Sequence, residues 1–93
     1  MIYEIKFTSR FKKDYKRMVK QNKNIDILHQ TIEMLAKGQE LPEQYKDHEL
    51  SGNFKGKREC HLQPDWLLMY QYNKNELVLL LIRTGSHSEI LDM

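Results

Sequence analysis

The chain has 93 residues, a formal net charge of +2 and a single cysteine, Cys60. This length favours one small domain covering residues 1–93, and a lone cysteine excludes a disulfide within the chain. No apolar run reaches the roughly 20 residues that span a bilayer, and the N-terminal segment lacks the apolar stretch of a signal peptide. We therefore expect a cytoplasmic protein that does not contact the membrane.

Positive charge is concentrated at the start of the sequence. Residues 1–23 contain eight lysines and arginines against two acids, a net charge of +6, so the other residues together carry −4. A basic segment of this kind is typical of a surface that binds polyanions, and it is equally typical of a solvated helix face. Charge alone does not decide between the two.

The first third of the chain predicts a strand followed by two helices. Tyr3, Ile5 and Phe7 alternate with polar residues, which indicates a short half-buried strand. Thr8 or Ser9 can cap a first helix, whose apolar residues recur at helical spacing: Phe11, Tyr15, Met18. Asn24 can cap a second helix that stops at Gly38 and carries a clean apolar stripe: Ile25, Leu28, Ile32, Leu35. The short link between them predicts an antiparallel helical hairpin.

The rest of the chain predicts a sheet. Residues 41–53 combine proline, glycine and many charges, so we expect a long surface loop there. Three strand-like stretches follow at about 55–62, 66–72 and 76–83, with hairpin-sized separations that favour an antiparallel meander. A helical turn at 86–91 ends the pattern. The predicted fold is α+β with the order β-α-α-β-β-β, a helical hairpin packed on an antiparallel sheet.

Three histidines lie beside a charged residue or a Pro/Gly break: His48, His61 and His87. Alternation along the first meander strand directs Cys60 and Leu62 to the core and His61 to the open face of the sheet. Pro64 bends the chain after that strand, so Asp65 should lie near its end. The loop that bears His48 and the segment that bears His87 can fold over the same edge.

Histidines grouped with a carboxylate form a set for proton transfer at neutral pH. A ribonuclease that works without metal needs a base for the ribose 2′-hydroxyl, donors on the scissile phosphate and an acid for the leaving 5′-oxygen. The three histidines, Asp65 and Arg83 can fill these roles. His29, within the second helix, is expected to be structural, as is Cys60.

Two other uses of these residues remain open at this point. Trp66 could be an exposed indole that stacks on a base, or it could belong to the core, which is the more common position for a lone tryptophan. Zinc is disfavoured because the sequence lacks CxxC and HxxxH spacings, and Cys60 and His61 should face opposite ways. Phosphate-binding glycine motifs are absent, and no cofactor is expected.

Several segments between residues 45 and 87 are informative when they are taken together: Tyr45-Lys46-Asp47-His48-Glu49-Leu50 with Gly52, Lys55-Gly56, Arg58-Glu59-Cys60-His61-Leu62, Pro64-Asp65-Trp66, and Arg83-Thr84-Gly85-Ser86-His87. Together they resemble the YafQ family of toxins, in the RelE superfamily of bacterial type II toxin–antitoxin modules. The resemblance covers nearly the whole chain, and its specific part runs from about 45 to 87. It implies the RelE-like microbial ribonuclease fold.

The resemblance also implies a function and a site. Members of the family cut translated mRNA in the ribosomal A site without metal, and a co-encoded antitoxin neutralises them. By position, the catalytic set is His48, His61, Asp65 and His87, with Asp65 as the base and His87 as the acid. His48 and His61 would hold the phosphate, helped by Arg83. The expected substrate contacts are Trp66, Arg83, Lys46, Leu91.

One position departs from the family. An aromatic residue usually follows the last histidine by four positions, and here that position is Leu91, which offers no π face for a base. Two hypotheses follow. The first is a ribosome-dependent mRNA interferase whose partners are ribosomal RNA, mRNA and an antitoxin. The second is a non-catalytic module that binds an antitoxin and reaches DNA only through it.

Overall fold

The computed structural model describes residues 2–90, and within that range it contains five strands and three α-helices. In chain order these are β1 Glu4–Phe7, α1 Ser9–Lys20, α2 Ile25–Ala36, β2 His48–Glu49, β3 Arg58–Gln63, β4 Trp66–Asn73, β5 Val78–Gly85 and α3 His87–Ile90. The predicted α+β class is confirmed. The three long strands form the antiparallel meander that the hairpin-sized separations predicted.

The sheet has the order β1-β5-β4-β3-β2, so β5 and β4 lie near its centre. Two pairings were not predicted. β1 joins the free edge of β5 in parallel, with Glu4 opposite Val78 and Phe7 opposite Leu81. β2 pairs with β3 on the opposite edge and places His48 opposite Glu59. The sheet is therefore mixed at the β1 edge, because the helices intervene before the chain returns to pair with β1.

Helix α1 begins where the sequence predicts. The Thr8 hydroxyl oxygen accepts a hydrogen bond from the Phe11 amide at 2.9 Å, and the same hydroxyl donates to the Ile82 carbonyl at 2.7 Å. This cap therefore also ties the helix to β5. Phe11 and Met18 are buried, and most of the basic side chains of α1 lie on the exposed face, as predicted.

Helix α2 carries its apolar stripe into the core and ends as predicted. Leu28 and Leu35 are buried, and Gly38 follows the helix with a φ of +76°, a conformation that glycine adopts readily. Asn24 occupies the N-cap position, although its side chain makes no capping hydrogen bond. Neither α1 nor α2, at 12 residues each, is long and apolar enough to cross a membrane, and no other helix within residues 2–90 is.

The main core lies between the helices and one face of the sheet. Its buried members from the helices are Phe11, Met18, Leu28, Leu35 and Ala36, and those from the strands include Cys60, Leu62, Leu68, Tyr70 and Leu79. The core position predicted for Cys60 is confirmed. The opposite face is not fully open, which corrects the prediction. A second cluster covers part of it, formed by Leu67, Met69, Ile90 with Leu50, Phe54, Ile82.

The predicted loop at 41–53 is more structured than expected. It contains the 3-10 helix Glu43–Tyr45, strand β2 and the start of a second 3-10 helix, Gly52–Phe54. Leu41 and Tyr45 pack against the main core, and Leu50 and Phe54 pack against the second cluster. Elements of two or three residues are too short to show a period in the sequence. Their packing fixes the backbone on either side of His48.

Candidate active site

The four predicted catalytic residues come from separate elements that meet at one end of the sheet. His48 begins β2, His61 lies within β3, Asp65 lies in the turn between β3 and β4, and His87 begins α3. The imidazole rings of His48 and His61 are 6.5 Å apart between centroids, and those of His61 and His87 are 5.6 Å apart. The structure therefore brings all four together, as the sequence predicted.

Asp65 and His87 form the closest pair of the site. Oδ1 of Asp65 lies 3.1 Å from Nδ1 of His87 and accepts a second hydrogen bond from the His87 backbone amide at 3.3 Å. The hydrogen bond to the His87 side chain, followed by the one to its backbone, lowers the pKa of Asp65. Because an ionised carboxylate only accepts, Nδ1 of His87 carries the hydrogen, and Nε2 is the nitrogen that exchanges its proton.

Glu59 is a fifth group of the site, beside two of the histidines, and the sequence analysis did not single it out. Its side chain is 4% exposed, and its Oε1 lies 3.5 Å from Nε2 of His48 and 3.8 Å from Nε2 of His61. The other oxygen, Oε2, is buried and makes no hydrogen bond within the described part of the chain. The alternation that placed His61 on this face also placed Glu59 there, and this was the available signal.

A hydrogen-bonded clamp holds the backbone before His48. The Tyr70 hydroxyl donates to Oδ1 of Asp47, and Arg58 donates to Oδ2 of the same carboxylate at 3.2 Å. Lys46 adopts a left-handed conformation with φ +49°, and its carbonyl accepts from Nδ1 of His48 at 2.8 Å. A carbonyl can only accept, so Nδ1 of His48 is protonated and Nε2 faces Glu59.

A second network holds α3 and hence His87. The Ser86 amide donates to Glu89 Oε1 at 2.8 Å, and the Glu89 amide donates to the Ser86 hydroxyl at 3.3 Å, which is a capping box. Glu89 also pairs with Arg17 of α1 at 3.2 Å. Burial is partial here, and the Ser86 backbone hydrogen bond is the main cause that lowers the pKa of Glu89.

The core of this network is Asp14, a buried carboxylate that the sequence analysis counted only as one of the two acids in residues 1–23. It accepts from Arg83 Nε at 2.7 Å and Nη2 at 3.1 Å, from the Thr84 amide at 3.1 Å and from Arg17 at 2.9 Å. Arg83 Nη2 also donates to the Glu89 carbonyl at 3.3 Å. The predicted contact of Arg83 with phosphate remains a prediction, while the structure shows its guanidinium bracing α3 against α1.

Two of the other predicted substrate contacts lie in the described residues. Trp66 is fully buried in the main core, where its indole N–H donates to the Thr84 hydroxyl at 2.9 Å. An exposed indole that stacks on a base is therefore wrong for this residue, because the strand turns its side chain toward the helices. Lys46 is exposed beside His48, where a substrate can reach it. Leu91 lies outside the described residues.

The remaining histidine lies apart from the site. The His29 ring stacks on Tyr15 with centroids 5.9 Å apart, and its Nε2 lies 3.0 Å from the Tyr15 hydroxyl. It thus joins α2 to α1 on the exposed side of the helical hairpin. The expectation that it has a structural role agrees with this placement.

Three groups of the site are arranged so that they could hold a metal ion. One ligand atom from each of Glu59, His61 and His87 lies within 4.8 Å of the others. Two imidazoles and a carboxylate suit zinc or copper more than magnesium or calcium. Zinc was disfavoured on the absence of CxxC and HxxxH spacings and on the opposite directions of Cys60 and His61, and neither criterion considers a carboxylate ligand such as Glu59.

Comparison with known proteins assigns the chain to a family. The sequence model of one protein family, described as the bacterial toxin YafQ of type II toxin–antitoxin systems, matches residues 3–92 of the chain. The chain belongs to the YafQ family. One relative is the mRNA interferase toxin YafQ of Escherichia coli K12. It is 34% identical to this chain over 88 residues, and the match covers 94% of each protein. The resemblance seen in the sequence motifs is thereby confirmed.

Solved structures of YafQ-like toxins share the fold. A metal-bound toxin from Helicobacter pylori has a TM-score of 0.90 and 46% identity, covering 97% of this chain and 99% of that one. The YafQ chain of the Escherichia coli DinJ–YafQ complex has a TM-score of 0.86 and 34% identity, covering 95% and 97%. The RelE-like α+β fold predicted for this YafQ family member is confirmed.

Proposed function

We propose that this toxin is an mRNA endoribonuclease that cuts translated mRNA on the ribosome by metal-independent acid–base chemistry. The observation that carries the proposal is the Asp65–His87 pair, joined at 3.1 Å, with the His61 ring 5.6 Å from that of His87. Exposed side chains at one edge of a rigid sheet are reachable by a large substrate. The named activity of the curated relative, an mRNA interferase, supports the same reaction.

The proposed reaction moves two protons and breaks one P–O bond. Both hydrogen bonds that Asp65 accepts from His87 use Oδ1, which leaves Oδ2 to remove the proton from the ribose 2′-hydroxyl. The 2′-oxygen attacks phosphorus and forms a 2′,3′-cyclic phosphate, while protonated His87 gives its proton to the departing 5′-oxygen. The products are a cyclic phosphate end and a 5′-hydroxyl end, and Asp65 and His87 have exchanged protonation states.

His48 and His61 are suited to hold the phosphate during this step. When protonated, His61 offers a donor, and His48, whose Nδ1 is bound to the Lys46 carbonyl, offers positive charge to the pentavalent phosphorane oxygens. Oε1 of Glu59 lies 3.5 Å from Nε2 of His48 and 3.8 Å from Nε2 of His61, so one carboxylate faces both rings. Lys46 adds a cation beside His48 that can meet the phosphate of the next nucleotide.

The basic face of α1 is the proposed contact with the ribosome. Its acid, Asp14, is buried against Arg83 and Arg17, so it removes little positive charge from the exposed surface. A polyanion such as ribosomal RNA would release counterions on binding, and binding should weaken with salt. An acidic segment of an antitoxin would suit the same face.

A cognate antitoxin is the proposed protein partner. The Escherichia coli relative has been solved in DinJ–YafQ complexes, which supports antitoxin binding by members of this family. Contact with DNA would then be indirect, through the antitoxin. Ribosomes and mRNA place the proposed action in the cytoplasm.

A purified translation system tests the proposal. With antitoxin-free protein, reporter mRNA should gain new 5′ ends while it is translated, and the same mRNA without ribosomes should remain largely intact. His87→Ala should lower cleavage by roughly 10²–10⁴-fold, the usual contribution of a general acid. His29→Ala is the matched control and should cleave as wild type does, because it lies on the helical hairpin.

Two results would contradict the proposal. Growth arrest by a variant with alanine at His48, His61 and His87 would show that the site is not the source of toxicity. Absence of new ribosome-associated ends with the wild-type protein would instead favour the non-catalytic antitoxin-binding module.

A further inference from the structure

A cleft beside His61 has no role in the reaction described above. It lies between α2, the 3-10 helix Glu43–Tyr45 and the end of β3, with a volume of about 480 Å³. Its lining includes the amide side chains of Gln30, Gln44 and Gln63, the ring of Tyr45, and Lys46. His61 also lines it, so a nucleotide in this cleft would adjoin the proposed catalytic groups.

The three glutamines bring free hydrogen-bonding capacity into the cleft. None of their side-chain amides makes a hydrogen bond or ion pair within residues 2–90, and all three residues are exposed. A glutamine amide offers both a donor and an acceptor, the combination that the edge of a nucleobase presents. The amides therefore match a base rather than a phosphate, which only accepts.

The other lining residues suit the remaining parts of a nucleotide. The phenol ring of Tyr45 can stack on a base, and Lys46 offers a cation for a phosphate. Tyr45 also packs against the main core, so its ring is held in place before a ligand arrives. Pro64 and Leu62 complete the wall with apolar surface.

The neighbouring cavity on the other side of the Pro64 turn offers less free hydrogen-bonding capacity. It has a volume of about 350 Å³, and its lining includes Lys23 and two carboxylates, Asp65 and Glu89. Asp65 is hydrogen-bonded to His87, and Glu89 is paired with Arg17. Because both carboxylates are already engaged, the cleft with free glutamine amides is the better match for a nucleobase.

We propose that this cleft binds the nucleobase next to the scissile phosphate and thereby sets the sequence preference of cleavage. The inference rests on the proposed ribonuclease activity and adds its specificity subsite. Amide side chains read the base edge, Tyr45 supports its face, and Lys46 meets the adjoining phosphate.

The test compares the sequences flanking each cut. Wild type and a Gln30→Ala, Gln44→Ala double variant are added to the same translated mRNA pool, and 5′ ends are sequenced after short incubation. Both glutamines are exposed, so their removal should leave the fold intact, which circular dichroism verifies. Gln39→Ala is the matched control, an exposed glutamine outside the cleft.

We expect wild type and Gln39→Ala to prefer one base at a flanking nucleotide. In the double variant this preference should be reduced roughly 10-fold, because one good contact to a base edge supplies about that much discrimination. Cleavage by the double variant with wild-type rate and preference would overturn the inference, as would a uniform loss of rate at every site. A wild type without preference at the flanking nucleotides would also overturn it. Failure of wild type to cut any translated mRNA would instead refute the ribonuclease activity itself.

Discussion

Replacement of Asp14 by asparagine should destabilise the protein strongly, although Asp14 makes no hydrogen bond or ion pair with the four proposed catalytic residues. The side chain is 2% exposed and accepts four hydrogen bonds, two from Arg83 and one each from Arg17 and the Thr84 amide. Removing one partner of a buried ion pair costs about 3–5 kcal/mol, because the other charge is left buried without compensation. We expect Asp14→Asn to lose about 3 kcal/mol of unfolding free energy.

For a domain of this size, about 1 kcal/mol corresponds to roughly 4–8 °C in the melting temperature. Asp14→Asn should therefore melt roughly 12–24 °C below wild type, measured by circular dichroism and checked by urea unfolding. Glu33→Gln is the matched control, an acid-to-amide change on a helix whose pair with Lys37 is largely exposed. It should cost less than about 0.5 kcal/mol.

The pH dependence of this difference has a defined sign. Burial by itself raises the pKa of Asp14, and the hydrogen bonds from Arg83, the Thr84 amide and Arg17 outweigh burial, so the pKa lies below its ordinary value. The contribution of ionised Asp14 to the free energy of unfolding is thus fully present above the unfolded-state pKa of about 3.9. It is lost as pH falls through the lower folded-state pKa. A loss below about 1 kcal/mol at pH 7, or a gap between variant and wild type that widens below pH 4, would refute the reasoning.

The remaining predictions concern the site. Because the pKa of Asp65 is lowered by its hydrogen bonds to His87, single-turnover cleavage should stay flat on the acid side down to about pH 5. A fall in cleavage already below about pH 6.5 would mean that a histidine is the base. Gly85→Ala should lower cleavage roughly 100-fold, since alanine is strained at a φ of +153° and its Cβ, 2.8 Å from Glu89 Oε1, would push away the carboxylate that caps α3. Gly52→Ala, also at positive φ but with open space around its Cβ, should keep wild-type activity. In isothermal titration calorimetry, Zn²⁺ should bind the wild type and His29→Ala but not His61→Ala. Zn²⁺ should also inhibit cleavage, whereas EDTA alone should not. Equal zinc binding by His61→Ala would exclude the Glu59–His61–His87 site.

The sequence was sufficient for those parts of the fold that depend on local periodicity. Alternation alone places Cys60 in the core and His61 on the other face, and the spacing of the turns gives the meander. The turn at Pro64 placed Asp65 near the end of β3, and the position of His87 after the last strand brought it to the same edge, but their contact spans 22 residues and was not itself predicted. The periodicity and the turns are decided by neighbours within a few residues.

The burial of Asp14 was beyond this kind of reasoning. Asp14 receives its partners from residues 69 and 70 positions away, and nothing in α1 itself distinguishes it from a surface acid. Trp66 was left with two possible positions because β4 begins with it, and a period of two gives no phase at a strand end. The parallel pairing of β1 was missed for the same reason as the contacts of Asp14: its partner strand, β5, lies near the opposite end of the chain.

The position of β5 makes the toxin's potency a reporter of its folding. β5 is held between β1 and β4, and only Ser86 separates its last residue from His87, the proposed acid. Any lesion that loosens this strand separates His87 from the other groups of the site before the chain unfolds completely. A genetic screen for escape from growth arrest should therefore recover core substitutions such as Leu79→Pro as readily as histidine replacements, and expression level of the soluble form would separate the two classes.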